Sequence, residues 1–299
     1  MANAPTLDFN AFVARRKAER AGGAMAGAHD YSYVLDRQTR ATFESAKPIE
    51  LAVASAVRVF KERERGRLLG NAVRVSDRQF SRINTIAKEC SQTLGIIPPQ
   101  VYIVSNPQLN AGTFGTDEES FIVVHSALVD HYSDEELRFV LGHECGHIHN
   151  SHVVYLTTLH FLRLVAEAYL GLLVMPAMLP LMAWSRRAEI TSDRAGMMCA
   201  RDQQVASRAL TKLVVGSKKL YEEFNLDAFL EQYEEGKDGM GRYMEAFASH
   251  PFLPKRVLAM RVFAEAALYK KHAAASDTPT GLTMPEVDDR VKGLLKGDA

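Results

Sequence analysis

The chain has 299 residues, of which 47% are hydrophobic, and its 36 basic residues balance its 36 acidic residues. This composition excludes a globally disordered chain, and the zero net charge gives no electrostatic case for nucleic acid as the main partner. Three cysteines, at positions 90, 145 and 199, are too few and too far apart for a cysteine-built metal site, and they fit a reducing compartment.

The N-terminal region lacks the pattern of a secretory signal. Residues 1–20 carry several charged side chains and no continuous apolar core, so we expect a cytoplasmic protein. We predict a flexible N-terminal extension over residues 1–45, because it contains the Ala/Gly-rich stretch 21–28. The main domain is expected over residues 46–272, and a C-terminal tail with a short helix over residues 273–299.

Helices and a few short strands alternate in the first half of the chain. Apolar residues at helical spacing predict helices over 36–68 and 77–94. Strands are predicted over 71–76, 101–104 and 121–124. Residues 110–115 lie between Pro107 and an acidic turn, and they are predicted to form a short edge strand. The remainder of the chain is predicted to be mainly helical.

Residues 143–147 read His-Glu-Cys-Gly-His, with two histidines four positions apart. On a helix, residues i and i+4 share one face, so both imidazoles can bind the same metal ion. Glu144 follows the first histidine and can reach a water bound to that metal. The preceding residues predict a helix, because Ser133 and Glu136 form a capping box. The motif alone supports only a metal-dependent hydrolase.

A catalytic zinc site usually has three protein ligands, so the two histidines leave it incomplete. Glu189 is the best candidate for the third ligand, because a predicted helix over 187–196 places it on one face with Asp193. Asp193 is well placed to accept a hydrogen bond from a ligand histidine. Spacing alone leaves open the alternative that Glu189 is an ordinary surface glutamate.

Other candidate ligands close to the motif fit the site less well. The spacing of His149, His152 and His160 fits poorly with the face that carries the two motif histidines. For His152 there are two alternatives, a position near the site and a solvated one, and we favour the solvated one. Cys145 points to another side of the helix, and we expect it to be a small buried residue.

The segment from Leu164 to Trp184 is almost wholly apolar and long enough to cross a bilayer. Glu167 lies within it, and Pro176 and Pro180 interrupt it. We favour a buried helix followed by a second helix broken by the prolines. The alternative is a membrane-inserted or membrane-surface hairpin.

Four stretches extend the pattern well beyond residues 143–147. They are residues 106–115 (Asn-Pro-Gln-Leu-Asn-Ala-Gly-Thr-Phe-Gly), residues 121–147, residues 189–196 with Glu-x-x-x-Asp, and residues 250–256 (His-Pro-Phe-Leu-Pro-Lys-Arg). In this order they resemble the zinc peptidase family that groups HtpX with the type I CaaX prenyl endopeptidases. The resemblance covers roughly residues 70–262.

This resemblance implies a fold and a metal site. The fold is an α+β, mainly helical gluzincin domain, thermolysin-like, with a small mixed β-sheet whose edge strand lines the active-site cleft. One Zn²⁺ per chain is implied on His143, His147 and Glu189, with Glu144 as the catalytic base.

The resemblance also implies roles for residues around the metal. His250 is similar to the family's transition-state donor, and Arg256 to its structural arginine near the active-site helices. Asn110 and Ala111 are similar to the edge strand that binds a peptide in extended form. HtpX-like members carry membrane helices before the catalytic domain, and none is found here before residue 150, so the chain resembles a soluble or peripheral branch.

These observations predict a zinc-dependent endopeptidase that cleaves peptides or unfolded proteins through a metal-activated water, in protein quality control or processing. One alternative is a zinc-stabilised binding or chaperone-like module with little turnover. Another is a membrane-anchored protease, or one in peripheral contact with a membrane, that uses residues 164–184.

Overall fold

A computed structural model describes residues 30–43, 46–59, 66, 70–116, 119–167, 171–236, 253–274 and 280–295. The strands in this part of the chain are β1 (Ala72–Arg74), β2 (Gln100–Val104), β3 (Ala111–Gly115) and β4 (Ser120–His125). The helices are α1 (Val34–Phe43), α2 (Lys47–Val59), α3 (Ser81–Leu94), α4 (Ser126–His131), α5 (Asp134–His149), α6 (Val153–Val165), α7 (Gly171–Ala200), α8 (Gln203–Val215), α9 (Lys218–Glu222), α10 (Leu226–Gly236), α11 (Leu253–Ala264), α12 (Ala267–Ala274) and α13 (Met284–Leu294).

The four strands form one small mixed sheet in the order β1-β2-β4-β3. Strands β2 and β4 are parallel, whereas β1 and β3 pair antiparallel with their neighbours. The inner strand β4 is buried on both faces, with Ile122 and Val124 in the main core and Phe121 and Val123 in a smaller cluster. Strand β3 lies at one edge. The predicted mainly helical α+β fold with a small mixed sheet is therefore confirmed.

Helix α5 begins with the predicted capping box, because Ser133 Oγ accepts from the Glu136 N–H and the Glu136 carboxylate accepts from the Ser133 N–H. It packs closely against α7. A Cβ atom at Gly142 would lie 2.6 Å from Cys199 Cβ, and one at Gly146 would lie 2.6 Å from Ala195 Cβ. Glycine at these two positions therefore lets the two helix backbones approach each other.

The apolar segment 164–184 begins at the end of α6, and its part from Gly171 onwards lies in α7. Helix α7 runs without a break through Pro176 and Pro180, so the prediction of a helix broken by these prolines is wrong. Both prolines are exposed and lie in the first turns of the helix, where solvent can satisfy the carbonyls that lose a backbone donor. Among the helices described, none has both the length and the apolar character needed to cross a bilayer.

Residues 30–43, which the sequence places in a flexible extension over 1–45, are packed against the rest of the molecule. Tyr31, Tyr33, Asp36 and Phe43 are buried, and the Phe43 ring meets the Trp184 ring edge-on at 5.6 Å. The helix predicted from residue 36 onwards is present here, but it is packed instead of belonging to a flexible extension. The rest of the extension lies outside the described residues, and the other domain boundaries stay predictions.

Candidate active site

Three predicted metal ligands converge in the core, where α5 crosses α7. The Nε2 atoms of His143 and His147 lie 3.1 Å apart. Each also lies 3.5 Å from one carboxylate oxygen of Glu189. All three side chains are buried. Two turns of α5 and the facing turn of α7 therefore bring two imidazole nitrogens and a carboxylate to one point.

This geometry fits a tetrahedral metal ion. Ligand atoms about 2.0–2.1 Å from a tetrahedral zinc ion lie about 3.3 Å from one another. The two imidazole nitrogens lie close to that separation, and each lies 3.5 Å from a different oxygen of the Glu189 carboxylate. Two imidazoles with one carboxylate form a donor set typical of catalytic zinc. The three side chains could therefore hold the ion and leave a fourth position for water.

Asp193 and Arg256 form a buried network beside the three ligands. Asp193 Oδ1 lies 3.0 Å from His143 Nδ1. Arg256 donates to both carboxylate oxygens of Asp193, at 2.8 and 2.6 Å, and its Nη1 lies 3.1 Å from Glu189 Oε2. Burial alone would raise the pKa of Asp193, but the charge and hydrogen bonds of Arg256 and His143 hold that pKa below its ordinary value.

Glu144, the predicted base, is held by the edge strand. The Thr113 hydroxyl on β3 lies 2.6 Å from Glu144 Oε2, and both side chains are buried. Sequence analysis did not single out Thr113, although it falls within the stretch similar to the family's edge-strand motif. The edge strand and the base are thus joined by a direct hydrogen bond.

A second buried chain of polar groups reaches His147 from the other side. His147 Nδ1 lies 3.0 Å from Ser192 Oγ and 3.1 Å from His152 Nδ1. His152 Nε2 lies 3.0 Å from Asp36 Oδ2 on α1. His152 has 0% exposure, so the expectation that it is solvated is wrong. Sequence reasoning missed Asp36 entirely, because 116 residues separate it from His152.

Burial and mutual contact set the charge states of His152 and Asp36. It lowers the pKa of His152, although the neighbouring Asp36 acts in the opposite direction. For Asp36, burial would raise the pKa, but its interactions with His152 and the hydrogen bond from Thr191 hold the value at about 2. At neutral pH the pair therefore consists of an ionised carboxylate and a neutral imidazole.

A mainly apolar cavity of about 360 Å³ is lined by two of the predicted ligands, His143 and Glu189, and by Glu144. Asn110 and Ala111, at the start of β3, form part of its wall. Its remaining apolar wall comes from α4, α5, α8, α11 and the residue before Asn110, through Leu109, Leu128, Phe139, Val140, Leu210, Leu213 and Leu253. The cavity can accept an apolar group next to the position of the metal.

The structure thus brings together eight of the nine predicted site residues, and the ninth, His250, lies outside the described residues. Cys145 is buried within α5, as predicted, and burial raises the pKa of its thiol. Within the part of the chain described here, the three predicted ligands are the one cluster of His, Cys, Asp or Glu able to hold a metal ion.

The sequence profile of peptidase family M48 matches residues 77–263, which include all of the site residues named above except Asp36. The chain belongs to this family. It is 36% identical over 168 residues to the plastoglobule-localized metallopeptidase 48 of Arabidopsis thaliana, an alignment that covers 55% of this chain and 49% of that protein. The chain thus spans about half the length of this relative.

Bacterial relatives in the same family carry the name protease HtpX. The chain is 25% identical over 221 residues to the HtpX homolog of Tropheryma whipplei, covering 64% of this chain and 75% of the relative. It is 27% identical over 220 residues to the HtpX of Aeromonas hydrophila, covering 60% and 71%. No solved structure matches the chain significantly. The predicted family and the predicted enzyme class, a metallopeptidase, are confirmed.

Proposed function

We propose that the protein is a zinc-dependent endopeptidase that hydrolyses peptide bonds within peptides or unfolded proteins. The observation that carries the proposal is the convergence of the His143, His147 and Glu189 ligand atoms in a buried site next to Glu144. A binding module without turnover would have no use for a carboxylate held beside the metal. The peptidase names of the relatives agree with this choice.

In the proposed mechanism, His143, His147 and Glu189 hold one Zn²⁺. Bound zinc supplies a water with a pKa near about 7 and a Lewis acid for the substrate carbonyl. Glu144 takes a proton from the attacking water on its carboxylate and later delivers it to the leaving amine nitrogen. Thr113 keeps that carboxylate in place through its hydroxyl. We propose His250 as a donor to the oxyanion.

Two features support an extended peptide as substrate. Strand β3 lies at the edge of the described sheet and carries Thr113, so a peptide that pairs with it would pass over Glu144. Asn110 and Ala111 would bind its backbone. The apolar cavity beside the ligands favours substrates with an apolar side chain next to the scissile bond.

We propose a role in protein quality control or processing inside the cell, with peptides rather than nucleic acid as partners. All three cysteines are free and buried, which suits a reducing cytoplasmic environment. The balance of 36 basic and 36 acidic residues gives no basic surface excess for nucleic acid.

Glu144→Gln tests the assignment directly. The variant keeps the shape of the side chain and removes the base, so hydrolysis of fluorescent casein should be abolished while zinc content stays at one per chain. Glu135→Gln is the matched control, since Glu135 lies on the same helix but is exposed. Normal turnover by Glu144→Gln would contradict the mechanism. Loss of turnover by the natural chain on chelation, with recovery on zinc addition, tests the metal requirement.

One observation favours a second property, peripheral contact with a membrane. Leu172 and Leu173 at the start of α7 are 92% and 78% exposed, and Leu164 at the end of α6 is 39% exposed. We propose that this tip of the α6–α7 hairpin rests on a lipid surface, since clustered exposed leucines are unusual on a soluble face. Flotation of the full chain with phosphatidylcholine vesicles would test it, and absence from the vesicle fraction would count against it.

A further inference from the structure

The buried chain from α1 to His147 has no part in the chemistry proposed above, yet it ends on a predicted ligand. We infer that Asp36 sets the tautomer of His147 through His152, so that helix α1 positions the active site. Asp36 and His152 are positioning residues in this scheme, because neither touches the substrate or the metal. The inference rests on the proposed metal site and goes beyond it.

In this series of buried polar groups, the donor and acceptor of each hydrogen bond can be assigned one after another, beginning at Asp36. Its Oδ1 accepts from the Trp184 indole N–H at 2.8 Å. Its Oδ2 accepts from the Thr191 hydroxyl at 2.7 Å, and this hydroxyl in turn accepts from the Tyr33 N–H at 3.1 Å. An ionised carboxylate can only accept. His152 Nε2, 3.0 Å from Oδ2, must therefore carry the hydrogen.

This first choice fixes the next one. A neutral imidazole with its hydrogen on Nε2 has a lone pair on Nδ1. Since His152 Nδ1 lies 3.1 Å from His147 Nδ1, the hydrogen between them must belong to His147. Ser192 Oγ, 3.0 Å from the same nitrogen, can accept from it as well. His147 Nε2 is then left with its lone pair directed towards His143 and Glu189, which is the form that a metal requires.

The local backbone holds the two histidines in this arrangement. Ser151 has a φ of 60°, an uncommon conformation for a residue with a side chain, and it turns the chain sharply after α5. The His152 N–H then donates to the His147 carbonyl at 2.9 Å. The His152 ring meets the rings of His147 and Trp184 edge-on, both at 5.3 Å between centroids. The ring has no solvent to satisfy it in another orientation.

The two ligand histidines are thus oriented by different parts of the chain. His143 receives its partner directly from Asp193, four residues after Glu189 on α7. His147 has His152 and Ser192 as its partners, and His152 is in turn held by Asp36 on α1, which lies before the matched family region of residues 77–263. Loss of a group that orients a metal ligand typically weakens metal binding roughly 10–100-fold.

Two variants at one position separate orientation from packing. His152→Asn retains an acceptor near the position of Nδ1, whereas His152→Leu has nearly the same shape and no acceptor. We expect His152→Leu to bind Zn²⁺ roughly 10–100-fold more weakly than the natural chain, and His152→Asn to recover most of that loss. Competition with a fluorescent zinc chelator, using the full chain and Zn²⁺ alone, measures both affinities.

Asp288→Asn is the matched control for damage to α1. Asp288 also holds this helix, since it accepts from the Val34 N–H at 3.2 Å and pairs with Arg194 at 2.8 Å, but it has no contact with a predicted ligand. We expect the Asp288→Asn variant to bind Zn²⁺ with the same affinity as the natural chain. The inference would be overturned if Asp288→Asn weakened zinc binding as much as His152→Leu does. It would also be overturned if His152→Asn and His152→Leu weakened zinc binding equally.

A measurement without any substitution guards against variants that fail to fold. In the chelator-treated full chain, the ¹⁵N shifts of the His147 ring should show hydrogen on Nδ1, and a neutral ring with its hydrogen on Nε2 would refute the scheme. Failure of the natural chain to bind Zn²⁺ would instead overturn the proposed function. Normal zinc binding by both the natural chain and His152→Leu would overturn only the role of Asp36 and His152.

Discussion

The buried pairing of Arg256 with Asp193 and Glu189 makes a quantitative prediction for Arg256→Met. Arg256 is 5% exposed, and its guanidinium donates two hydrogen bonds to Asp193. Methionine fills much of the volume but leaves two carboxylates buried without their cation. Removing one partner of a buried ion pair costs about 3–5 kcal/mol in the free energy of unfolding. For a chain of this size, that loss lowers the melting temperature by roughly 6–20 °C.

The assay is chemical unfolding of the chelator-treated protein, followed by the fluorescence of Trp184, which is the single tryptophan and is buried. Chelation matters because bound metal would compensate for part of the lost positive charge. Arg138→Met is the control, since Arg138 pairs with Glu89 at 2.5 Å where the side chains are 30% and 47% exposed. Arg138→Met should lower the free energy of unfolding by less than about 1 kcal/mol. If Arg256→Met lowered the free energy of unfolding by less than about 1 kcal/mol, the reasoning would be refuted.

The same pairing sets a pH dependence. Since Arg256 depresses the pKa of Asp193 in the folded protein, its stabilising contribution is full above the unfolded pKa of an aspartate, about 3.9. It is lost as pH falls through the depressed folded value. The natural chain should therefore keep this contribution near neutrality and lose it only in strong acid. In Arg256→Met, burial without the cation raises the pKa of Asp193, so the stability difference between the two proteins should begin to shrink at a higher pH.

Three further outcomes are expected. Thr113→Val removes a hydrogen bond to the Glu144 carboxylate worth about 1.5–3 kcal/mol, so kcat should fall roughly 10–100-fold with zinc content unchanged. Gly146→Ala places a methyl group where the helix contact leaves no room, and it should lower both zinc affinity and unfolding free energy, the latter by about 1–3 kcal/mol. Replacing Leu172 and Leu173 by glutamine should abolish flotation with vesicles and leave peptide turnover unchanged.

Two of these outcomes have a control variant in the same chain. Thr113→Ser keeps the hydroxyl and should restore most of kcat, and a loss equal to that of Thr113→Val would point to packing instead. Gly293→Ala adds a methyl group where no atom lies within 4 Å, so it should raise helix stability slightly. Equal zinc affinities for Gly146→Ala and the natural chain would show that the helix spacing is not needed. Flotation that survives loss of both leucines would exclude the hairpin tip as the contact.

The sequence predicted the parts of the site that depend on local spacing. A capping box and residues four positions apart are readable signals, so α5, its two histidines and the pairing of Glu189 with Asp193 followed from them. Asp36 and Thr113 left no such signal, because their partners are distant in sequence. Helical spacing predicted most of α1, but not its tight packing, because this helix buries a carboxylate among polar groups rather than an apolar stripe.

The prolines of α7 show a different limit. Pro176 and Pro180 each remove one backbone donor, and a rule based on that loss predicts a break. The exposed position of both rings and the packing of the following turns allow the helix to continue. The helix continues through both prolines because of how it packs in the folded protein, and residue spacing in the sequence does not reveal that packing.

The close crossing of α5 and α7 makes the chain between them an insertion. Residues 148–188 leave the site at one histidine and return at the opposite glutamate, and Gly142 and Gly146 fix the spacing of the two helices at the crossing. The base of this excursion is anchored by His152 and Trp184, which both contact Asp36, whereas Leu172 and Leu173 are exposed. A change of polarity at these exposed positions need not move the site, so the same core can be carried by chains that meet their surroundings in different ways.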